Sequence, residues 1–252
     1  MSAWSSRRKS LFALIVIMAL AILIGVPAFQ LFYEAPACND NKKNGDEQGI
    51  DCGGSCTKLC SNAFLDIPSP AWVRFKETAP NIYNAAAYII NPNPKAEIKR
   101  LPYKLVLFDK NATEIAVRSG VFNLSAGRNT LVFVGGISVK NYVPVRAVLE
   151  FDKTPEWMSA TDRLTGLNIT GKKYDEDDLG SSADITLENR SAAPLRDIAV
   201  YAILKDADDN VLDFSKTVVD EIAPQASALA PFTWPSSHGG RVISLEVLAV
   251  PE

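Results

Sequence analysis

Four cysteines lie close together in the N-terminal quarter of the sequence: Cys38, Cys52, Cys56 and Cys60. In an exported segment, closely spaced thiols are more often paired as disulfides than left reduced. We therefore predict two disulfides among these four residues, and the spacing leaves all three connectivities open. A zinc site is the alternative, because the last three cysteines have loosely metal-like spacing, but the segment has no C-x2-C pair.

The loop between the first two cysteines is rich in side-chain oxygen atoms. A twelve-residue calcium loop starting at Asp40 would place Asn44 at its fifth position and Asp51 at its twelfth. Gly45 then occupies the sixth position, as such a loop requires, but Lys42 stands at the third, where an oxygen ligand is usual. A polar, turn-rich spacer is the alternative. The predicted calcium ligands are Asp40, Asn44, Asp46, Glu47 and Asp51.

The string NGDEQGIDCGGSC within this segment resembles a short cysteine-rich module of the form C-x-D-x3-NG-x-E-x-G-x-D-C-GG-x-C, which recurs in secreted and surface-anchored proteins. The resemblance covers Cys38 to Cys56. It implies an extracellular module and no particular activity.

Residues 11–33 contain no charged side chain and are long enough to cross a hydrocarbon core of about 30 Å as a helix. Arg7, Arg8 and Lys9 precede this run, and the first charge after it is Glu34. The positive flank predicts a cytoplasmic N-terminus, with the rest of the chain outside the plasma membrane. The alternative is a cleaved signal peptide, although its apolar region is usually shorter.

After residue 61 the sequence repeats with a spacing of 97 to 98 residues. Asn91 corresponds to Asn189, and the alternating run 101–109 corresponds to the run 198–206. Alternating runs of this kind predict half-buried antiparallel strands. About six such strands per repeat, separated by turns, predict a β-sandwich. The first strand predicted in the first repeat covers residues 85–90, and one strand of the second repeat is predicted at residues 210–215.

The predicted fold is therefore mostly β, with an N-terminal transmembrane helix, a short disulfide-rich segment and two tandem immunoglobulin- or fibronectin-like β-sandwiches. We place the cytoplasmic tail at residues 1–10, the signal-anchor helix at 11–33 and the cysteine-rich stalk at 34–62. The sandwiches follow at 63–153 and 161–252, joined by a segment containing Pro155 and Trp157.

The second repeat contains the string ENRSAAPLRDIAVYAILKDADDNVLDFSK, which resembles the FxLYD-type domain of exported bacterial and archaeal proteins. In the first repeat, Leu107-Phe108-Asp109 stands at the LYD position, and Ile90-Asn91-Pro92-Asn93 is similar to the water-stress sandwich. The resemblance implies a fibronectin- or immunoglobulin-like fold. These families share no catalytic residues that could be carried over.

Three features with apparent chemistry are interpreted as structural. His238, the only histidine, lies in a Gly- and Ser-rich stretch and is predicted to be a solvated loop residue. Residues 166–172 match most of a P-loop, but Lys173 stands where Ser or Thr must bind magnesium. The aspartates at 206, 208 and 209 could hold a cation, but a hairpin turn favours the same residues.

The sequence also contains four Asn-x-Ser/Thr triplets, at Asn111, Asn123, Asn168 and Asn189, which could accept a glycan outside the cell. A net charge of -3 with dispersed basic residues argues against nucleic-acid binding.

Together these features predict a non-enzymatic, membrane-anchored extracytoplasmic binding or spacer protein. Its expected partners are the lipid bilayer, through residues 11–33, and an unidentified extracytoplasmic protein or glycan; calcium is the one predicted cofactor. The alternative is an accessory subunit of an envelope or secretion membrane complex, for which Gly25 and Pro27 in the span give weak support.

Overall fold

The computed structural model describes residues 3–32, 37–151 and 154–252. Tyr33, the last residue of the predicted span, lies outside these ranges, as do residues 34–36 and 152–153 near two of the predicted domain boundaries. The chain divides into two compact units, Met1–Cys60 and Ser61–Glu252.

The N-terminal unit begins with the helix α1, Ala3–Phe32. Its segment Leu11–Phe29 has a mean hydropathy of 2.9, and none of that segment is buried inside the protein. A helix that is apolar on all sides and unburied is expected where lipid replaces the protein core. The predicted N-terminal apolar helix is confirmed, while its topology and its retention in the mature protein stay predictions.

The described residues also form thirteen β-strands. They are β1 Trp72–Ala79, β2 Ile82–Ile89, β3 Ala96–Phe108, β4 Glu114–Leu124, β5 Thr130–Ser138, β6 Arg146–Phe151, β7 Met158–Ser159, β8 Leu167–Asp177, β9 Gly180–Asn189, β10 Leu195–Lys205, β11 Val211–Ile222, β12 Ser227–Trp234 and β13 Ser244–Pro251.

The two repeats have the same strand order. In the first, β1-β2-β5 form one sheet and β4-β3-β6 form the other; in the second, β8-β9-β12 and β11-β10-β13 correspond to them. The short β7 pairs with the start of β3. The predicted mostly β fold is confirmed, and the shared topology explains the 97- to 98-residue spacing in the sequence.

The sequence prediction missed the first strand of the first repeat and shortened others. Strand β1 pairs with β2 alone, at the edge of its sheet, and its residues are at most half-buried. An edge strand with little burial carries a weak alternation signal, which accounts for the omission. Strand β11 likewise extends to Ile222, beyond the predicted end at Ser215.

Strand β10 is buried on both faces, contrary to the half-buried strand predicted for residues 198–206. Val200, Ala202 and Leu204 point into the second sandwich, where they join a core that includes Ile185 and Phe232. The residues between them, Ala199, Tyr201 and Ile203, are also buried, but in a separate apolar cluster. A second layer of protein therefore covers the outer face of this sheet.

That layer is the first sandwich. The cluster on the outer face of β10 includes Ala86 of β2 and Leu131 of β5, with Trp72 and Phe133 packed against it. The rings of Trp72 and Phe133 lie 6.4 and 6.1 Å from the ring of Phe214 in β11. The described strands β1 to β13 thus form four stacked sheets, with an apolar contact between the two sandwiches.

Polar contacts surround this apolar contact. Arg128, in the turn before β5, forms a two-pronged ion pair with Asp162, at 2.6 and 2.7 Å, and donates to the carbonyls of Leu164 and Ala249. Burial acts to raise the pKa of Asp162, but the hydrogen bonds from Arg128 hold it below its usual value. These hydrogen bonds of the guanidinium therefore all reach from the first repeat to residues of the second.

Each repeat also contains an asparagine that closes the turn after its second strand. The amide nitrogen of Asn189 donates to three carbonyls, those of Ala193, Ile222 and Ala223, at 2.8 to 3.2 Å. Its carbonyl oxygen accepts from the main-chain nitrogen of Ser191. Asn91 repeats the pattern, donating to Ala96 and Ser125 and accepting from Asn93.

The effect of these asparagines on stability can be measured. Asn189 is fully buried, so Asn189→Ala should leave buried carbonyls without donors and lower the free energy of unfolding by about 2 to 4 kcal/mol. Asn91→Ala should cost less, about 1 to 3 kcal/mol, because that side chain is only half-buried. Urea denaturation of the full chain gives both values. Asn111→Ala, at an exposed position, is the control, and its free energy of unfolding is expected within about 0.5 kcal/mol of wild type. A loss below about 1 kcal/mol for Asn189→Ala would contradict the role assigned to Asn189.

Candidate functional site

The four cysteines form two disulfides, Cys38–Cys56 and Cys52–Cys60, and none is left free. The predicted disulfides are confirmed. Of the three pairings that the sequence left open, the first cysteine pairs with the third and the second with the fourth. Because every one of the four sulfur atoms is used in one of these two disulfides, none is available as a thiolate ligand and the zinc alternative fails. Each disulfide fixes a short, turn-rich segment that has almost no apolar residues of its own to bury.

Glycines allow this module to fold tightly around its disulfides. A Cβ atom on Gly54 would lie 2.2 Å from the carbonyl oxygen of Asp46, and one on Gly49 would lie 2.8 Å from the sulfur of Cys52. Gly54 also has a positive φ of 62°. The glycines at 49 and 54 in the G-x-D-C-G-G portion of the sequence motif are therefore required by close packing.

The oxygen atoms of the predicted calcium ligands are engaged in hydrogen bonds within the module. The carboxylate of Asp51 accepts from the main-chain nitrogens of Asp40 and Asn41. Asp40 accepts from the amide of Asn44 at 2.7 Å. Three further oxygens also accept hydrogen bonds. Asn44 Oδ1 accepts from the main-chain nitrogen of Ala37, and Asp46 Oδ1 accepts from the Ser55 hydroxyl. Glu47 Oε2 accepts from the main-chain nitrogen of Asn44.

Among the described residues, the side chains of Cys38, Glu47 and Cys56 bring three possible ligand atoms within 4.8 Å of one another. Both cysteines are disulfide-bonded, so this group cannot act as a thiolate metal site. The Ser55 hydroxyl lowers the pKa of Asp46. Calcium binding by this loop stays a prediction, which calcium titration of the oxidised protein would decide.

The aspartates at 206, 208 and 209 form a hairpin loop. The carboxylate of Asp206 accepts from the main-chain nitrogens of Asp208 and Asn210, at 3.0 and 2.9 Å. The hydrogen bond from Asn210 lowers the pKa of Asp206. Ninety-seven residues earlier, Asp109 accepts from Asn111 and Thr113 in the same way. This geometry is that of a turn, as the residue types in the loop favour.

His238 is not a solvated loop residue, and that prediction is wrong. Its side chain is 1% exposed at the end of the second sandwich. Its Nε2 lies 3.2 Å from the carboxylate of Asp213 in β11, and its Nδ1 lies 3.1 Å from the hydroxyl of Ser181 in β9. The Tyr174 hydroxyl is 3.3 Å from the same Nδ1. Burial raises the pKa of Asp213, although hydrogen bonds from Phe214 N and His238 oppose the shift.

Glu176 of β8 holds the main chain on either side of this histidine. One of its carboxylate oxygens accepts from the Ser237 hydroxyl at 2.5 Å, from the nitrogen of His238 and from the nitrogen of Gly239 at 2.6 Å. The other oxygen accepts from the Tyr174 hydroxyl. The hydrogen bond from Ser237, with those from Tyr174 and the main chain, lowers the pKa of Glu176 to about 2.

Serine, histidine and aspartate in a hydrogen-bonded row also occur in hydrolases, but this row is arranged differently. A catalytic aspartate holds Nδ1, which leaves Nε2 facing the serine, whereas Asp213 contacts Nε2 and Ser181 contacts Nδ1. Asp213 and Ser181 are also 3% and 7% exposed. A surface depression of about 340 Å³ lies beside Ser181 and Glu176. We interpret the cluster as a polar plug that holds the β12–β13 loop against the end of the sandwich.

One feature of the sequence does indicate this cluster, although the predictions made from the sequence overlooked it. Strand β9 alternates, and Ser181 occupies the same inward face as Ala183, Ile185 and Leu187. A polar residue at an inward position needs a hydrogen-bond partner, and the single histidine was an available one. The P-loop-like residues lie in and just before the edge strand β8, which agrees with their interpretation as a coincidence.

Acid should weaken the attachment of this loop. The folded-state pKa of Glu176, about 2, lies below the ordinary 4.5, so ionised Glu176 stabilises the folded protein above pH 4.5, and this contribution is lost as the pH falls toward 2. The difference in free energy of unfolding between wild type and Glu176→Gln should therefore shrink across that window. Denaturation between pH 7 and 2 measures it, with Asp178→Asn, an exposed neighbour, as control. A difference that does not change with pH would contradict this role of Glu176.

Comparisons with known proteins do not identify a family. No protein-family model matches the sequence, and no curated protein is significantly similar to it. Similar solved structures include a β-glucuronidase of glycoside hydrolase family 2, with 10% identity over 86% of this chain and a TM-score of 0.25. A β-galactosidase candidate from Bacteroides fragilis has 13% identity over 73% and a TM-score of 0.20. The CBM22-1–CBM22-2 tandem domain of Xyn10C from Paenibacillus barcinonensis has 7% identity, covers 74% of this chain and 86% of its own, and has a TM-score of 0.15. This chain spans 29% and 34% of the length of the first two proteins. At these TM-scores, none of the three similarities supports an argument about function.

Proposed function

We propose that the protein is a non-enzymatic binding or spacer protein, anchored in the membrane by α1 and working on the extracytoplasmic side. The observation that carries this proposal is the apolar contact between the two sandwiches. It includes Ala86 and Leu131 on one side and Tyr201, Ile203 and Phe214 on the other. A body of this kind presents its loops at fixed positions, as a spacer or a recognition module requires.

The character of this contact matters because tandem domains usually move relative to one another. Interfaces between domains of one chain are commonly polar, and relative motion is the default. Here aromatic rings lie across the contact, and Tyr88 of the first sandwich donates to Glu246 of the second at 3.0 Å. Within the second sandwich, Lys205 pairs with the same Glu246 at 2.8 Å. The contact therefore combines an apolar centre with a paired polar margin, as stable interfaces do.

The extracytoplasmic placement is supported by two independent features. Disulfides persist in oxidising compartments, and all four cysteines are used in them. The basic residues Arg7, Arg8 and Lys9 precede the apolar helix and favour a cytoplasmic N-terminus. Calcium belongs to the proposal as the cation that the cysteine module would bind, and the partner is an extracytoplasmic protein or glycan.

An accessory subunit of a membrane complex is the competing proposal. It would use α1 as a contact surface, and the apolar side chains of Leu11–Phe29 are exposed within the chain. Lipid and a partner helix both suit such a surface, so no separate observation favours this alternative.

The rigidity of the tandem can be tested with two spin labels, one at Lys110→Cys in the first sandwich and one at Leu179→Cys in the second. We expect a single narrow distance distribution, because the apolar contact fixes the two sandwiches. Ala199→Arg places a charge in that contact and should broaden the distribution. Leu229→Arg, on an exposed position of β12, is the matched control.

Circular dichroism shows whether the Ala199→Arg variant keeps its β-structure, so that loosening is distinguished from unfolding. A broad distribution in the otherwise unaltered chain would contradict the spacer proposal.

Topology is tested by labelling cells with a membrane-impermeant maleimide. Lys110→Cys should be labelled on intact cells, since its loop is exposed and would lie outside. Ser5→Cys should be labelled only after permeabilisation, because the positive flank holds the N-terminus in the cytoplasm. The reverse pattern would overturn the assigned orientation, and recovery of the chain from the medium without residues 1–33 would show a cleaved signal peptide.

A further inference from the structure

Four Asn-x-Ser/Thr triplets occur in the part of the chain that we place outside the membrane. They differ in the structure in how exposed they are and in whether the asparagine amide is already hydrogen-bonded. N-glycosylation joins the C1 atom of a sugar to the amide nitrogen of asparagine. On a folded protein, that nitrogen must be free of other hydrogen bonds, and the hydroxyl two residues later must be accessible. These two requirements can be checked at each of the four sites.

Asn189 fails on the first requirement. Its side chain is fully buried, and its amide nitrogen donates to three main-chain carbonyls in hydrogen bonds that close the turn after β9. A glycan on this nitrogen would remove all three hydrogen bonds and would not fit inside the fold. The triplet at Asn189 is therefore a structural asparagine that happens to be followed by Ser191.

Asn123 and Asn168 are unsuitable for different reasons. Asn123 lies in β4, where its side-chain oxygen accepts from the main-chain nitrogen of Arg100. Ser125, the hydroxyl residue of its triplet, is only 4% exposed. Asn168 lies in β8 and is half-buried, and its amide nitrogen donates to the carbonyl of Gly166 at 3.2 Å. Both are held in extended strands, where the asparagine and the hydroxyl residue cannot fold back toward each other.

Asn111 meets both requirements. It lies in the exposed loop between β3 and β4, and Thr113 is exposed as well. The carboxylate of Asp109 accepts from the main-chain nitrogens of Asn111 and Thr113, at 2.9 and 2.8 Å, which folds the triplet into a turn. Within the part of the chain that the structure describes, the amide of Asn111 makes no hydrogen bond.

We propose that Asn111 is a site of N-linked glycosylation, presented by the Asp109 loop to a membrane-associated oligosaccharyltransferase. The donor is an oligosaccharide on a polyprenyl phosphate or pyrophosphate carrier. A bond forms between C1 of the first sugar and Nδ2 of Asn111, and the bond from C1 to the carrier's phosphate oxygen breaks with its electron pair leaving on that oxygen. The proton lost by the amide is balanced by the released carrier phosphate. The proposal rests on the extracytoplasmic placement argued above, because such transferases work on that side of the membrane.

The second sandwich provides an internal control. In its β10–β11 loop the carboxylate of Asp206 accepts the same hydrogen bonds from the main chain, and Asp209 has the positive φ, 63°, that matches 60° at Ala112. Asp208 and Asn210 stand where the first repeat has Asn111 and Thr113. The double substitution Asp208→Asn with Asn210→Thr therefore places the triplet in an equivalent loop without changing the turn-forming aspartate.

The test uses the full chain, purified in detergent, with a single-subunit oligosaccharyltransferase and its lipid-linked oligosaccharide. The enzyme is chosen from those that modify folded proteins and recognise Asn-x-Ser/Thr without an acidic residue two positions before the asparagine. Of the four natural triplets only the one at Asn111 has such a residue, Asp109, and the other three must also be acceptable by sequence. Intact mass and peptide mass spectrometry report the modified position, and a short acceptor peptide confirms that the enzyme is active. Because the enzyme is added to purified protein, the result does not depend on the topology in cells, which the maleimide labelling tests separately.

We expect a mass increase of one oligosaccharide at Asn111, loss of this increase in Asn111→Gln, and modification at position 208 in the double variant. Modification at Asn123, Asn168 or Asn189 of the folded protein would contradict the selection by geometry. Absence of transfer to Asn111, whether or not position 208 is modified, would overturn the proposal.

Discussion

The second sandwich depends on a strand that has no face toward water. Strand β10 carries the run IAVYAIL, with one set of side chains in the core of its own sandwich and the other against the first sandwich. Antiparallel sheets ordinarily leave one face to solvent, and a strand buried on both faces must be covered by another layer. Here the first sandwich provides that layer, so the apolar outer face of β10 links the two repeats.

The burial of β10 on both faces explains which parts of the fold can be predicted from the sequence. The repeat, the corresponding asparagines and the alternating strands can be read from the sequence, and they predict a mostly β fold of two sandwiches. The order of the strands within each sheet is not contained in these patterns and comes from the structure. The burial of Ala199, Tyr201 and Ile203 depends on contacts with residues more than sixty positions away, such as Leu131. The period-two alternation of residues 198–206 favours a half-buried strand, whereas the nearly unbroken apolar character of the same run is what a strand buried on both faces shows.

The candidate sites divide in the same way. The disulfides were predictable from composition and compartment, but their connectivity was not, because three pairings satisfy the same spacing. His238 was misplaced because a histidine between serines and glycines is locally typical of a solvated loop. Its true environment comes from Asp213, Ser181 and Tyr174, which lie on three different strands. No window of the sequence contains these residues together, so only the inward-facing Ser181 could have indicated the cluster.

The duplicated fold distinguishes what the architecture requires from what is particular to one repeat. The turn asparagines at 91 and 189 and the loop aspartates at 109 and 206 make the same hydrogen bonds in both repeats, so they belong to the fold itself. The plug around His238 has no such counterpart: Lys76, Thr78 and Tyr83 stand 98 residues before Tyr174, Glu176 and Ser181. The first sandwich closes that end without a buried histidine, which shows that the topology alone does not demand one. The two sandwiches therefore differ in features that are present in one copy only, such as this plug and the exposed triplet at Asn111. A function that belongs to one sandwich and not to the other must depend on such features.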